Sequence, residues 1–210
     1  MKRRIVLLTG REEALFFEQL LLQCNPRLSV LAAHSLADLS ACIERYDGAV
    51  RLIAFLTSTI IPPDLLSRLR VTPYNIHPGP PEYPGSHPES FAIWDGAPSF
   101  GVTAHEMTMR VDEGPIVAVD RFPMPPLPDR TALSVLTYSR AIELFAAVAM
   151  HCAGTDAPMQ PIDEEWSPPK NTRDQFRALC RPQWRVGPGE MERLSRACGD
   201  DLVERLTATG

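Results

Sequence analysis

Apolar runs and amphipathic stretches alternate along the first half of the chain. Residues 5–9 form a short run of β-branched and leucine side chains, residues 12–24 carry an apolar stripe at helical spacing, and residues 28–33 are apolar again. Ser35 stands where it can cap a helix over residues 36–45. Residues 52–56 give a third buried strand, Pro62, Pro63 and Asp64 open a short helix ending near residue 69, and residues 71–77 give a fourth strand. Strands that read as continuous hydrophobic runs separated by helices predict a parallel sheet covered on both faces. The expected fold is therefore α/β, a Rossmann-like, mostly parallel sheet with helices on both sides.

Downstream, the pattern predicts a helix over residues 89–94 and two strands, 101–107 and 116–122, joined by a turn around Asp112 and Gly114. A long helix over residues 131–152 should pack on the sheet through Leu133, Leu136, Ile142, Leu144, Phe145 and Val148. Residues 153–170 are proline-rich and irregular, and helices are expected over 172–179 and 189–206. Residues 1–152 are thus expected to form the main domain, with 153–210 as an irregular and helical C-terminal tail packed on it. In sheets of this kind ligands gather at the carboxyl ends of the strands.

A length of 210 residues with 44% hydrophobic side chains suffices for one sizeable core. The formal net charge of −5, with both signs interspersed, argues against a general nucleic-acid binder, which needs a basic footprint. Cys24, Cys42, Cys152, Cys180 and Cys198 are scattered, odd in number and never in a CxxC pair. They read as reduced thiols, neither a disulfide framework nor a zinc knuckle. The opening MKRRIVLLTG has a short apolar run, but Gly10, Arg11, Glu12 and Glu13 interrupt it before a secretory or membrane-spanning segment is complete. The expectation is a cytoplasmic protein with no membrane association.

The densest chemistry lies in YNIHPGPPEYPGSHPES, residues 74–90, where five prolines and two glycines follow closely on Asn75 and His77. Such a mixture defines a loop of one shape. Asn75 and His77 stand at i and i+2, so on a strand they point the same way. Asp112 follows in VDEGP, at a turn that Gly114 allows to be tight. An amide, an imidazole and a carboxylate together could polarise a carbonyl, move a proton and hold the imidazole or a water. The residues alone are equally compatible with a turn-forming Asn75, a satisfied half-buried His77 and an Asx turn at Asp112. His77, His87, His105 and Glu89 match no closed zinc-site spacing, so no metal is expected. Lys170, Arg173, Arg177, Arg181 and Arg185 recur at helical spacing until Pro182 interrupts them, and read as a solvated face or as a basic stripe for an anionic substrate or partner. Trp94, Trp166 and Trp184 read as packing anchors, the last two in a tail where a substrate pocket or dimer contact could form.

The run PYNIHPGPPEYPGSHP, then GVTAHEM, then VDEGPI resembles the 10-formyltetrahydrofolate-dependent formyltransferases: an Asn-x-His-Pro segment, a proline loop ending in Gly, a Gly-x-Thr-x-His strand and an Asp-x-Gly turn. The resemblance is specific over residues 50–125 and extends loosely from 4 to 152. It implies an enzyme of one-carbon metabolism carrying a formyl group from folate N10 to an amine. On that basis Asn75 would hydrogen-bond the formyl oxygen, His77 would stabilise it or move the amine proton, and Asp112 would orient His77 or a water. The resemblance also implies that the backbone of Leu56, Thr57, Ser58, Thr59 and Ile60 lines the pterin site, with Val111, Glu113 and Gly114 on the other side. Gly85, Thr103 and His105 would support the catalytic groups, His105 either facing the site or simply packed. The tail has no strand-rich pattern and TGREEALFF supplies only Gly10 for a phosphate loop, so the expected acceptor is the amine of a small molecule such as an amino sugar or a hydroxylated ornithine. Formyl-folate hydrolysis and folate binding without turnover are the alternatives. A homodimer would follow if the terminal helices expose an apolar face.

Overall fold

The computed structural model describes residues 3–181 and 187–201. Pro182, Trp184, Arg185 and the stretch 202–206 of the expected last helix lie outside the described residues. Strands β1 (Arg4–Leu8), β2 (Ser29–Ala33), β3 (Arg51–Phe55), β4 (Tyr74–His77), β5 (Ser99–Glu106) and β6 (Ile116–Pro123) form a sheet in the order β2-β1-β3-β4-β5-β6. The first four run parallel, as expected, whereas β5 pairs antiparallel with β4 and β6 antiparallel with β5. The stretch between β5 and β6 is too short for the crossover that a parallel neighbour requires, so the sheet is mixed. Expected element ends shift by a few residues. The fourth strand starts at Tyr74 rather than residue 71, since Pro73 has no N–H for the ladder, and Leu56 leaves the third strand with a φ of 44°.

Alternation along the strands divides the core in two. Ile5, Leu7, Ile53 and Phe55 point to one face, where α1 (Arg11–Cys24) and α5 (Arg130–Gly154) cover them. Val6, Leu8, Leu52 and Ala54 point to the other, against α2 (Leu36–Arg45) and the short α3 (Pro63–Leu66). Ser35 caps α2 as predicted, accepting the Asp38 N–H at 3.1 Å. Helix α5 is long and apolar enough by composition to cross a membrane, but its stripe of Leu133, Ala141, Phe145, Val148 and Cys152 is buried in the protein. Phe145 stacks on Phe17 with ring centroids 3.7 Å apart, and Phe17 meets the edge of Phe55 at 4.6 Å. On β4, Tyr74 and Ile76 join the α5 side. Asn75 and His77 therefore face the opposite side, where the site forms.

The irregular tail is held at each step. Arg51, buried at the start of β3, donates to the carbonyls of Thr72, Thr155 and Ala157, and the Met159 N–H donates to the Tyr74 hydroxyl at 2.7 Å. Further on, the Ser167 and Asn171 N–H groups donate to the carbonyls of Pro81 and Pro84, both at 2.9 Å, strapping the tail across the proline loop. Thr172 then opens α6 (Arg173–Leu179) with a reciprocal cap to Gln175. Helix α7 (Pro188–Cys198) packs with α6 against Phe91 and Trp94 of α4 (Pro88–Asp95).

One expectation is overturned here. Cys180 and Cys198, read as free thiols, form a disulfide that joins the ends of α6 and α7, while Cys24, Cys42 and Cys152 are free. The separation of 18 positions carries no signal in the sequence, because the pair meets only through the packing of α6 and α7 together.

Two stability predictions follow from these contacts. Phe145→Ala should cost about 3–5 kcal/mol in denaturant unfolding, since a fully buried ring is removed from a stacked cluster. Breaking the Cys180–Cys198 bond by reductant or Cys180→Ser should cost about 3 kcal/mol in the same measurement through restored loop entropy.

Candidate active site

The register of β4 and β5 places Asn75 opposite His105 and His77 opposite Thr103, all on the face away from α5. The His105 Nδ1–H donates to the Glu106 carbonyl at 2.9 Å, which leaves Nε2 to accept from Asn75 Nδ2 at 3.1 Å. One Asn75 N–H remains for a ligand. His77 Nε2–H donates to the Tyr83 carbonyl at 3.0 Å. That assignment makes Nδ1 the basic nitrogen, 3.5 Å from Asp112 Oδ2 and without a direct hydrogen bond to it. The other carboxylate oxygen, Oδ1, lies 3.4 Å from His105 Nε2.

Asp112 is the electrostatic centre of the group. It is only 4% exposed, and its Oδ2 accepts the Gly85 N–H at 2.9 Å. Burial pushes its carboxyl up, but the positive charge that the His77 and His105 rings carry when protonated, together with the Gly85 N–H, outweighs this and holds it at about 2. Burial pushes His77 down, opposed by Asp112 and the Tyr83 carbonyl. A charged His77 would lower Asp112 while a buried ring resists that charge, so the two shifts pull against each other. The state we assign is ionised Asp112 beside neutral His77, because Asp112 keeps its Gly85 bond whatever the charge on the ring.

The proline loop serves this centre. Gly85 has a φ of +93°, and a Cβ there would collide with the Asn171 carbonyl, so its N–H can reach Asp112 only with glycine at that position. Thr103 Oγ donates to the Gly79 carbonyl at 2.8 Å and ties the loop to β5. Trp166 of the tail meets the edges of His77 and His105 at 5.6 and 5.1 Å and donates its Nε1–H to the Gly114 carbonyl at 2.8 Å.

A cavity of about 430 Å³ opens beside β4 and is lined by Asn75, His77, His105 and Asp112. Leu56, Thr57, Ser58, Thr59, Ile60 and Val111, six of the residues that the resemblance assigns to the pterin site, line it too. Glu113 and Gly114 do not. They line a second cleft behind Asp112, where Glu113 pairs with Lys170 at 2.7 Å. Met107, Thr108, Met109 and Arg110 line the cavity and escaped the sequence reading, since nothing in their spacing marks a wall. Trp166 was read only as an anchor or tail residue. Leu56, His87 and Asp112 are three of five non-glycine residues with positive φ, and all three line the cavity, a concentration of backbone strain typical of binding sites.

An α/β sheet that brings a half-buried amide, a buried imidazole and a buried carboxylate to one cavity is an arrangement able to polarise a carbonyl and move a proton. Solved structures share the fold. A sugar N-formyltransferase from a Shewanella species superposes with a TM-score of 0.72 at 18% identity, over 93% of this chain and 87% of that one. An N-formyltransferase from Helicobacter canadensis, in complex with folinic acid and dTDP-3-aminofucose, gives 0.70 at 14% identity over 94% and 81%. In sequence, residues 12–143 match the formyl transferase family, and the chain belongs to that family. The methionyl-tRNA formyltransferase of Chlorobium chlorochromatii is 29% identical over 117 residues, which span 54% of this chain and 37% of that protein.

The buried pair makes stability depend on pH. A histidine whose folded pKa is depressed contributes stability that is complete above its ordinary value and lost as pH falls toward the folded one, because the unfolded chain takes up a proton that the folded chain refuses. The melting temperature should therefore begin to fall below about pH 6.5, and His77→Gln should flatten part of that decline in pH-dependent melting curves. Asp112 adds a second loss, of about 2 kcal/mol, as pH falls from about 4 to 2.

Proposed function

We propose that this chain is an N-formyltransferase that moves a formyl group from a 10-formyl folate to the amine of a small molecule, with Asn75, His77 and Asp112 as its catalytic residues. The observation that carries the reading is the convergence on one cavity of half-buried Asn75 with His77, Asp112 and His105, the last three buried. The cavity suits a flat, partly apolar ligand. Ile60, Met109 and Val111 are 66%, 58% and 48% exposed at its rim, and the backbone N–H groups of Ser58 and Ile60 have no partner among the described residues. Such groups can take the polar edge and the faces of a pterin-like ring.

When the amine attacks the formyl carbon, the new C–N bond forms and the carbonyl oxygen gains negative charge. The free Asn75 N–H stabilises that charge. The attacking nitrogen loses a proton to His77 Nδ1, and Asp112 lies 3.5 Å away to stabilise the imidazolium. The same proton goes to N10 as the C–N10 bond breaks, so no net charge is left on the protein. The Tyr83 carbonyl keeps Nδ1 as the basic nitrogen throughout.

The test is tetrahydrofolate release from 10-formyltetrahydrofolate with and without amines. Asn75→Ala should lower the amine-dependent rate about 100- to 1,000-fold, and His77→Ala and Asp112→Asn about 100- to 10,000-fold, with circular dichroism near wild type and the assay run below each variant's melting transition. Unchanged turnover in any one variant removes that residue from the set.

A further inference from the structure

We propose that Glu89 and Arg173 form the acceptor-recognition wall of the cavity, and that the acceptor is an amine that also carries an anionic group, a phosphate or a carboxylate. Arg173 pairs with the anion, and Glu89 accepts hydrogen bonds from the acceptor's polar hydrogens. This assignment rests on the formyl-transfer reading of the site.

The register fixes the direction. The Met107 N–H donates to the Pro73 carbonyl, so the stretch 107–111 begins beside the start of β4. The proline loop leaves the other end of the strand, after His77. A Cβ on Gly79 would lie 2.7 Å from Pro88 and 2.8 Å from His77 Nε2, so the turn that carries Glu89 abuts the reacting groups. The cavity thus runs along β4, with the apolar, backbone-rich walls toward one end and Ser86, Glu89 and Arg173 toward the other. An amine arriving from that second end meets the formyl carbon between Asn75 and His77.

Neither charge is taken by an ion pair among the described residues. Within the basic stripe, Lys170 is bound to Glu113 and the Val111 carbonyl, and Arg177 pairs with Asp174. Arg173 lines the cavity and pairs with no carboxylate among the described residues. It is nevertheless placed firmly, since His87 stacks on Phe176 of the same helix at 3.8 Å and the Ser86 N–H donates to the Asn171 carbonyl at 2.8 Å. Arg130, whose charge acts on Glu89, is taken by Asp201 at 2.5 Å, leaving the carboxylate with its own backbone N–H and with Ser134 Oγ at 3.4 Å. Burial accordingly pushes Glu89 up, the sign of a carboxylate short of donors. A half-buried acceptor and an unpaired guanidinium on one wall, not bonded to each other, match a ligand that carries both a donor-rich group and an anion.

The test uses the full chain and matched amines: an amino sugar and its phosphate, and a diamine and the corresponding amino acid. Folate binding is followed separately by Trp fluorescence. The expected result is that one anionic member outruns its neutral partner, and that Arg173→Gln and Glu89→Gln each raise its KM about 10- to 100-fold with folate affinity held, while Arg173→Lys recovers part of the loss. The phosphate and carboxylate arms name the anion. Equal rates for neutral and anionic amines, or variants that lower kcat with KM unchanged, overturn the assignment and leave formyl transfer standing. Absence of folate binding would instead sink the formyl-transfer reading. If folate binds and no amine reacts, calorimetric binding of the four amines to the folate-loaded protein decides, and equal affinity or no binding in wild type and Arg173→Gln overturns the proposal.

Discussion

The constraint on which the rest of the structure depends is a single carboxylate buried beside two imidazoles. An ionised Asp112 inside protein is costly unless it is held by a donor and by neighbours able to take up positive charge. Its neighbours come from three separate segments: Gly85 from the proline loop, His77 from the end of β4 and His105 from β5. None of these can shift without leaving the charge exposed to an apolar surrounding. That explains why a chain would stiffen residues 78–88 with proline and then bend them at a glycine with positive φ. It also explains the strap: the tail crosses the loop at Pro81 and Pro84 and lays Trp166 over both imidazoles, closing the back of the centre.

The sheet makes room for this charge without weakening the core. Because side chains alternate along a strand, Tyr74 and Ile76 keep one face of β4 apolar against α5 while Asn75 and His77 stand on the other. The first face supplies the stacked Phe17, Phe55 and Phe145 cluster, and the second gives up part of its apolar packing to a cavity. A one-residue slip of β4 would bury the amide and imidazole in the phenylalanine cluster and turn Ile76 into the cavity. The same register that buries the core therefore orients the chemistry.

The parts legible in the sequence are those with a period or a motif. The unbroken apolar runs at residues 5–8 and 52–55 announced strands buried on both faces, Ser35 announced a helix start, and Asn75, His77 and Asp112, singled out in the sequence, all line one cavity. What stayed hidden depends on contacts distant in the chain. Arg51 is buried because the carbonyls of Thr155 and Ala157, more than a hundred residues on, satisfy it. Cys180 and Cys198 meet only once α6 and α7 fold back on α4. His105 could be read either as packed or as facing the site, and only the antiparallel register with Asn75 decides between them. Glu113 and Gly114 follow Asp112 directly, yet the turn at Asp112, with its φ of 49°, sends them to the far side of the carboxylate.

The two ends of the cavity differ in how sequence enters recognition. Toward the stretches 56–61 and 107–111 the wall offers backbone groups and apolar rim side chains, so many sequences can build it as long as the chain path is kept. Toward Glu89 and Arg173 recognition rests on particular charged side chains, one of them contributed by a helix of the tail. A fold shared with solved N-formyltransferases at 18% and 14% identity fits this division, because strand alternation and chain path survive wide replacement of side chains. Differences in acceptor then belong where individual side chains do the selecting. In this chain that wall is held by the tail, so on the proposed reading the segment most weakly marked in the sequence is also the one that shapes which amine can enter.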